Sequence, residues 1–218
     1  MKTLRILIAD DHDIVREGLR ALLSAQPGWE ICGEAVNGRE AVAKARELGP
    51  DVAILDFSMP ELNGLDAARQ IRKTLPRTEV LILTMHDLEE LVREIFAAGA
   101  RSYILKSDAK RHLVEAIKAL AQHQPYFTST IAARVLSGSL ALGAKSMRTK
   151  RPCDQLTPRE HEIVQLIVEG KSNKEIAALL GRSVKTVDAH RANIMLKLRL
   201  RSVTELVRYA IRNKIVEA

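Results

Sequence analysis

Short apolar runs alternate with longer amphipathic segments through the first 122 residues of this 218-residue chain. Between the runs, apolar side chains recur at intervals of three and four residues, most clearly in 15–23, 88–96 and 113–121, which indicates helices with one buried face. The runs predict five strands, at Leu4–Ala9, Trp29–Ala35, Val52–Asp56, Val80–Thr84 and Ser102–Leu105. This alternation predicts an α/β domain in which helices cover both faces of a parallel five-stranded sheet.

From Thr157 onward the sequence pattern is that of helices alone, and four helices are predicted. Each predicted start has a side chain that can cap it, and the first and last also have the glutamate of a capping box. The caps are Thr157 with Glu160, Ser172 or Asn173, Ser183, and Ser202 with Glu205. Because a tight turn containing Gly181 separates the second helix from the third, the pattern predicts a helix-turn-helix.

These two patterns divide the chain into a domain at 1–122, a linker at 123–153 and a domain at 154–218. The linker contains glycines, serines and a basic cluster, and a short helix is expected only at Ile131–Leu136. Residues 1–122 hold 17 basic and 19 acidic side chains, whereas residues 123–218 hold 17 basic and 8 acidic ones. The second half is therefore expected to meet a polyanion, with an ordinary solvated basic surface as the alternative.

Nothing in the sequence predicts export or membrane insertion. No apolar run approaches the roughly 20 residues that span a bilayer, and Asp10-Asp11 ends the apolar stretch near the N-terminus. The two cysteines, Cys32 and Cys153, are isolated and lack metal-ligand spacing. We expect a cytoplasmic protein without a membrane partner.

Polar side chains follow four of the predicted strands. Asp10 and Asp11 follow the first, Asp56 ends the third, Thr84 ends the fourth, and Lys106 follows the fifth. In an open parallel sheet these positions share one edge, which is where ligands bind. Three converging carboxylates need a cation, and Mg²⁺ suits an all-oxygen set. A carboxylate beside Mg²⁺ and a lysine can act as a nucleophile toward a phosphoryl group, although a single strand-end aspartate can equally cap a helix.

These residues resemble the receiver domain of two-component response regulators, over about residues 3–122. The motifs that carry the resemblance are Asp10-Asp11, Asp56 with Met59-Pro60 and Gly64, Thr84, and Tyr103 three residues before Lys106. The resemblance implies a flavodoxin-like (βα)5 fold with Asp56 as the phosphoacceptor. It also implies that Asp10, Asp11, Asp56 and the Ser58 backbone carbonyl hold Mg²⁺. Thr84 and Tyr103 would form a switch pair in which the tyrosine ring moves inward, and Lys106 would pair with the phosphate.

Two positions depart from the receiver pattern. Many receivers have a cis proline after the lysine, where this chain has Ser107, so the geometry of this loop is open. The residue after the switch threonine is often small, and here it is Met85. We hypothesise that Met85 shields the site and slows the exchange of phosphate or water, which Met85→Ala would test through the dephosphorylation rate.

The third helix of the second domain has two faces. Val184, Val187, Ile194 and Leu198 share an apolar side that is expected to pack on the preceding helices. The opposite side would enter the major groove of DNA, where Asn193 can contact adenine and the methyl groups of Ala189 and Ala192 can contact thymine. Phosphates are the expected contacts of Lys174, Arg182 and Lys185, and Arg191 is expected to reach a phosphate or a helix neighbour. Asp188 has two open interpretations: it accepts from a cytosine amino group, or its charge simply reduces the attraction to phosphates.

The segments Leu156–Glu160, Asn173–Ala177 and Val184–Val187 with His190 resemble the LuxR-type helix-turn-helix. Together with the receiver, they identify the whole chain as similar to the NarL/FixJ family of response regulators. In that family the residue after Thr-Val is often basic, whereas Asp188 stands here. The resemblance implies a histidine kinase and promoter DNA as partners, RNA polymerase as a further one, and a homodimer formed through the fourth helix, which has an apolar stripe.

Two alternatives to a phosphorylation-controlled transcription factor remain at this point. Asp11-His12-Asp13 after an apolar strand resembles the nucleophile motif of haloacid-dehalogenase-type phosphatases, but the second acidic pair and the cap of those enzymes are not found. An orphan regulator that binds DNA without phosphorylation is the other alternative. The complete acidic site favours a phosphorylation-controlled regulator, which is not an enzyme.

Overall fold

The computed structural model describes residues 3–85, 94–128 and 156–216, which belong to two compact units. The N-terminal unit contains five strands: β1 (Leu4–Ala9), β2 (Trp29–Ala35), β3 (Val52–Asp56), β4 (Glu79–Thr84) and β5 (Ser102–Leu105). They form one parallel sheet in the order β2-β1-β3-β4-β5. The predicted sheet is confirmed, and β4 begins one residue earlier than expected because Glu79 pairs with Val52.

The helices that the structure describes in full beside this sheet are α1 (Asp13–Ser24), α2 (Gly38–Leu48), α3 (Gly64–Thr74) and α4 (Ala109–Ala121). Successive strand residues project to opposite faces, so each apolar strand serves two cores. Leu7 and Leu55 pack with residues of α2 and α3 on one face, and Ile6 and Ile54 pack with residues of α1 and α4 on the other. A sheet covered on both faces explains why β3 and β4 are buried along their whole length.

The apolar pattern predicted at 88–96 is described only in part. Residues 94–97 are helical and Ile95 is fully buried, whereas Leu88, Leu91 and Val92 lie outside the described residues. The short helix predicted at Ile131–Leu136 also lies outside them. After α4 the chain continues along the sheet, because the Tyr126 amide donates to the Arg101 carbonyl at 3.3 Å. The packed unit therefore includes 123–128, six residues of the predicted linker.

The described part of the C-terminal unit contains α5 (Pro158–Val168), α6 (Asn173–Leu180), α7 (Val184–Leu198) and α8 (Val203–Arg212). Its core includes Ile163, Ile176, Val187, Ile194 and Leu206, which come from all four helices. The four-helix prediction is confirmed. Among the described residues, no helix combines the length and the apolar character needed to cross a bilayer.

The predicted caps of these helices are present with one correction. Thr157 and Ser172 form complete capping boxes with Glu160 and Glu175. The Ser202 side chain accepts from the Glu205 amide, but the Glu205 carboxylate accepts from the Arg201 amide at 2.6 Å instead of completing the box. The expectation that Val184 packs inward was wrong, since its side chain is 38% exposed at the first turn of α7.

Candidate functional site

The carboxyl ends of four adjacent strands bring Asp10, Asp56, Thr84 and Lys106 to one edge of the sheet. Asp10 follows β1, Asp56 ends β3, Thr84 ends β4 and Lys106 follows β5. Asp10, Asp56 and Thr84 are buried. The convergence expected from the strand-end pattern is therefore observed for these residues.

Lys106 contacts two of these carboxylates at once. Its Nζ lies 2.9 Å from Asp10 Oδ2 and 2.9 Å from Asp56 Oδ1. The other oxygen of Asp10 accepts a hydrogen bond from the His12 amide at 2.9 Å, which fixes the Asp10 carboxylate at the end of its strand. A single ammonium is therefore shared by two buried carboxylates, with Asp11 close by.

The electrostatics of the site follow from this arrangement. Burial and the charge of Asp10 raise the pKa of Asp56 to about 7, although Lys106 acts in the opposite direction. Burial lowers the pKa of Lys106, but the hydrogen bonds and charges of Asp10 and Asp56 outweigh burial and raise it overall. Asp56 thus sits where its negative charge is poorly compensated by the protein alone, and a further cation would stabilise the ionised form.

The site has the donor atoms that a divalent cation requires. Ligand atoms of Asp10, Asp11, His12 and Asp56 all lie within 4.8 Å of one another. His12 was not among the predicted site residues, although its position directly after the acidic pair was a usable signal. Its Nδ1 lies 2.9 Å from Asp11 Oδ1. Three carboxylates gather here and Lys106 contacts two of them, so a small cation that prefers oxygen ligands fits the charge of this site.

Gly64 explains why the loop after Asp56 can fold so closely over the strand end. Its amide donates to the Phe57 carbonyl at 2.9 Å. A Cβ atom at this position would stand only 2.1 Å from the backbone carbonyl oxygen of Asp56. The glycine is therefore required for α3 to start against the backbone of the candidate phosphoacceptor. Ser58, within this loop, is partly exposed.

Thr84 and Tyr103 lie on neighbouring strands and on the same face of the sheet. Tyr103 pairs with Ile82, two residues before Thr84, and strand residues two apart share a face. Both side chains are buried, and the Tyr103 ring belongs to the core on the α2–α3 face. Met85, which follows Thr84, is 68% exposed. After β5, Lys106–Asp108 form a 3-10 turn that leads into α4.

In the C-terminal unit, the predicted groove-facing side of α7 is open to solvent. Most of the predicted DNA contacts are exposed, and Arg191 is partly buried; the exposed ones are Lys174, Arg182, Lys185, Asp188, Ala189, Ala192 and Asn193. Val187 and Ile194 lie on the opposite, buried side of the helix. The exposed face thus combines basic groups at its edges with small side chains at its centre.

The Asn173 side-chain amide, predicted only as a possible helix cap, joins Asp188 and Arg191. Asn173, the first residue of α6, donates through Nδ2 to Asp188 Oδ1 at 2.5 Å. Its Oδ1 accepts from the Arg191 guanidinium at 3.1 Å. Ser172, not Asn173, caps α6. Arg191 therefore contacts a helix neighbour, one of the two partners that the sequence suggested.

Two further contacts fix α7 and α6 to the first helix of the unit. Lys197 Nζ donates to both carboxylate oxygens of buried Glu160, at 2.6 and 2.7 Å. Arg159 donates to the Leu180 carbonyl at 3.0 Å, which satisfies the end of α6. Burial alone would raise the pKa of Glu160, but hydrogen bonds from Lys197 and Thr157 lower it.

Two family models match separate parts of the chain. The family model described as the response regulator receiver domain matches residues 6–118. The model described as bacterial regulatory proteins, luxR family, matches residues 154–210. The matched ranges correspond to the sheet-containing unit and to the four-helix unit.

Relatives match the chain over nearly its whole length. The transcriptional regulatory protein LiaR of Bacillus subtilis (strain 168) is 40% identical over 213 residues, 98% of this chain and 99% of LiaR. The oxygen regulatory protein NreC of Staphylococcus epidermidis is 40% identical over 219 residues, 98% of this chain and 100% of NreC.

A solved structure also aligns over both units. RcsB from Salmonella enterica serovar Typhimurium, bound to promoter rprA in the presence of the phosphomimetic BeF3−, has a TM-score of 0.60 and 26% identity. The alignment covers 95% of this chain and 98% of RcsB. The named relatives are regulators, which favours a regulatory protein over the phosphatase considered from Asp11-His12-Asp13.

Proposed function

This chain belongs to the NarL/FixJ family of two-component response regulators, with a receiver domain and a LuxR-type DNA-binding domain, and we propose that Asp56 is its phosphoacceptor. A sensor histidine kinase would donate the phosphoryl group. Phosphorylation of Asp56 would then control how the C-terminal domain binds promoter DNA. The observation that carries the proposal is the contact of Lys106 Nζ with Asp10 and Asp56 at the buried strand ends.

The chemistry assigned to Asp56 is nucleophilic attack on phosphorus. A carboxylate oxygen of Asp56 forms the new P–O bond while the P–N bond to the kinase histidine breaks and the imidazole departs. Lys106 stands beside the attacking carboxylate and would neutralise charge on the transferring group. The Thr84 hydroxyl, at the next strand end, would donate a hydrogen bond to a phosphoryl oxygen after transfer.

The residues present fit Mg²⁺ as the cofactor. Asp10, Asp11 and Asp56 would hold it, together with the Ser58 backbone carbonyl that the family resemblance suggests. When bound, Mg²⁺ would supply positive charge for the incoming phosphoryl oxygens. Asp10 is held in place for this role by the His12 amide and by Lys106.

The exposed side of α7 supports DNA as the ligand of the second domain. A recognition helix enters the major groove with its outward side chains against the bases, and basic groups around it contact phosphates. Ala189, Ala192 and Asn193 form the outward side here, and Lys174, Arg182 and Lys185 are exposed around it. We propose that two copies bind adjacent half-sites through a dimer formed by α8 and act on RNA polymerase at the promoter.

The full-length protein tests this proposal directly. Genomic fragments are captured with the pure protein in Mg²⁺, with and without beryllium fluoride as a phosphoryl mimic, and with Asp56→Asn as the control. Specific fragments that are enriched by the mimic with the unaltered protein, but not with Asp56→Asn, support the whole proposal. Equal enrichment in every state would remove the phosphorylation switch and leave an orphan DNA-binding protein, and no enrichment in any state would overturn the DNA-binding function.

A further inference from the structure

Asp188 stands where the family often has a basic residue, and its carboxylate contacts another side chain. Asn173 lies between Asp188 and Arg191, donating to the first at 2.5 Å and accepting from the second at 3.1 Å. Asp188 and Arg191 are one turn apart on α7, whereas Asn173 begins α6. The amide therefore connects the two helices of the helix-turn-helix at their solvent-exposed edge.

The orientation of the Asn173 amide is unambiguous. A carboxylate only accepts hydrogen bonds and a guanidinium only donates them, so the amide nitrogen must face Asp188 and the amide oxygen must face Arg191. If Asp188 were removed, nothing in this contact would prevent the amide from rotating away from Arg191. Asp188 thus determines the orientation of a group that it shares with the arginine.

Arg191 retains most of its hydrogen-bonding capacity. In the part of the chain that the structure describes, its one hydrogen bond is to Asn173, which uses one of the five N–H groups of a guanidinium. It lies on α7 between the buried side, with Val187 and Ile194, and exposed Asp188. This edge position, with a partly buried stem, suits a contact with a backbone phosphate beside the groove.

We propose that Asp188 is a positioning residue for DNA recognition. Through the Asn173 amide it holds the Arg191 guanidinium against a backbone phosphate, and this contact sets the register of α7 in the major groove. The negative charge of Asp188 also lowers the attraction of the domain to phosphates in general. The inference rests on the proposed DNA-binding function and replaces the contact with cytosine suggested by the sequence.

Two substitutions at Asp188 separate its charge from its hydrogen bond. Asp188→Asn removes the charge but keeps an oxygen that can accept from Asn173, whereas Asp188→Ala removes both. Asp188 is exposed on the surface of α7, so both variants are expected to fold, which circular dichroism checks. Affinity is measured for a fragment captured by the full-length protein and for a scrambled duplex of equal length, in Mg²⁺ and beryllium fluoride.

We expect Asp188→Ala to lower the ratio of specific to scrambled affinity by about tenfold, the size of one hydrogen bond to a charged group. Asp188→Asn should bind both duplexes more tightly and keep the ratio. Asn173→Ala should lower the ratio as Asp188→Ala does, and combining the two should add little. Arg191→Gln should reduce the slope of log affinity against log salt by about one.

Three results would overturn the positioning role of Asp188, each for a different reason. If Asn173→Ala leaves the ratio unchanged while Asp188→Ala changes the preference at one base pair, Asp188 contacts that base directly and the inference is overturned. An unchanged ratio in Asp188→Ala also overturns it, with DNA binding intact. If the unaltered protein binds no fragment specifically, the proposed DNA-binding function itself falls, and the positioning role falls with it.

Discussion

The Lys197 ammonium on α7 donates to both carboxylate oxygens of buried Glu160 on α5, at 2.6 and 2.7 Å. Glu160 also accepts from the Thr157 amide at 2.8 Å as part of the capping box. One carboxylate thus holds α7 and caps the first helix of the same domain. Its ionisation should therefore influence the stability of the domain.

Glu160→Gln separates these two roles, because glutamine can still accept from the Thr157 amide but lacks the charge that pairs with Lys197. The pKa of Glu160 is lowered in the folded state, so its stabilising effect is complete above the ordinary value of 4.5 and disappears as the pH falls through the folded pKa. We expect the variant to lose about 1–3 kcal/mol of unfolding free energy at pH 7 and almost none at the acid end. Urea unfolding followed by circular dichroism measures this. A loss that is equal at every pH would show that the charge of Glu160 is unimportant.

Asp56 should have the opposite effect on the pH dependence of stability, because its pKa is raised in the folded state. Ionisation of a carboxyl group whose folded pKa is about 7 destabilises the fold progressively as the pH rises from about 3.8 to about 7. In the presence of a chelator, Asp56→Asn should therefore be more stable than the unaltered protein at pH 8, by about 1–4 kcal/mol, and equal to it at low pH. Lys106 keeps Asp10 as its partner in this variant.

The single tryptophan, Trp29, lies in β2, so its fluorescence reports unfolding of the receiver domain alone. Adding Mg²⁺ should raise the urea midpoint of the unaltered protein and have a much smaller effect on Asp56→Asn, since the variant lacks one of the three carboxylates. If Asp56→Asn is less stable than the unaltered protein in chelator, burial and the charge of Asp10 do not destabilise ionised Asp56.

Much of the receiver site could be predicted from the sequence because strand ends in a parallel sheet share an edge. Asp10, Asp56, Thr84 and Lys106 each follow or end an apolar run, so the topology alone brings them together. His12 was not predicted, because its approach to Asp11 depends on the local path of the loop that leads into α1.

In the helix-turn-helix, too, the sequence predicted which residues are buried but not the contacts between separate elements. Periodicity identified the buried positions Val187 and Ile194, since they repeat on one side of a single helix. The link from Asn173 to Asp188 and Arg191 depends on how two helices cross, which the spacing of apolar residues does not specify. Val184 shows that an apolar residue in the first turn can match the pattern and still face solvent.

The rings of Phe127 and Phe96 meet edge to face, with centroids 5.3 Å apart, where the chain leaves the receiver domain. Phe127→Ala removes this contact and should destabilise the receiver by about 1–3 kcal/mol, measured by Trp29 fluorescence in urea. Tyr126→Phe, which removes only the hydroxyl that is 2.9 Å from His112 Nδ1, is the control and should cost about 0.5–1.5 kcal/mol. If Phe127→Ala changes the unfolding free energy by less than about 0.5 kcal/mol, the Phe127 ring does not stabilise the receiver and the linker is better placed from residue 123.

Gly64 and Gly18 offer a matched pair of substitutions in two helices of the receiver. A Cβ at Gly64 would stand 2.1 Å from the backbone oxygen of Asp56, so Gly64→Ala must displace either α3 or the end of β3. Gly18 lies within α1 with nothing within 4 Å of its Cβ position, so Gly18→Ala should instead stabilise the protein by about 0.5–1 kcal/mol.

Because the carbonyl beside Gly64 belongs to Asp56 itself, the displacement should also disturb the site. We expect Gly64→Ala to lower the urea midpoint, to weaken the stabilisation by Mg²⁺ and to slow phosphorylation by a small phosphodonor by about tenfold or more, since small misplacements at a reacting group have large kinetic costs. Gly18→Ala should retain the rate of the unaltered protein. If Gly64→Ala is destabilised but phosphorylated at the normal rate, the close packing of α3 on Asp56 supports the fold without positioning the carboxylate.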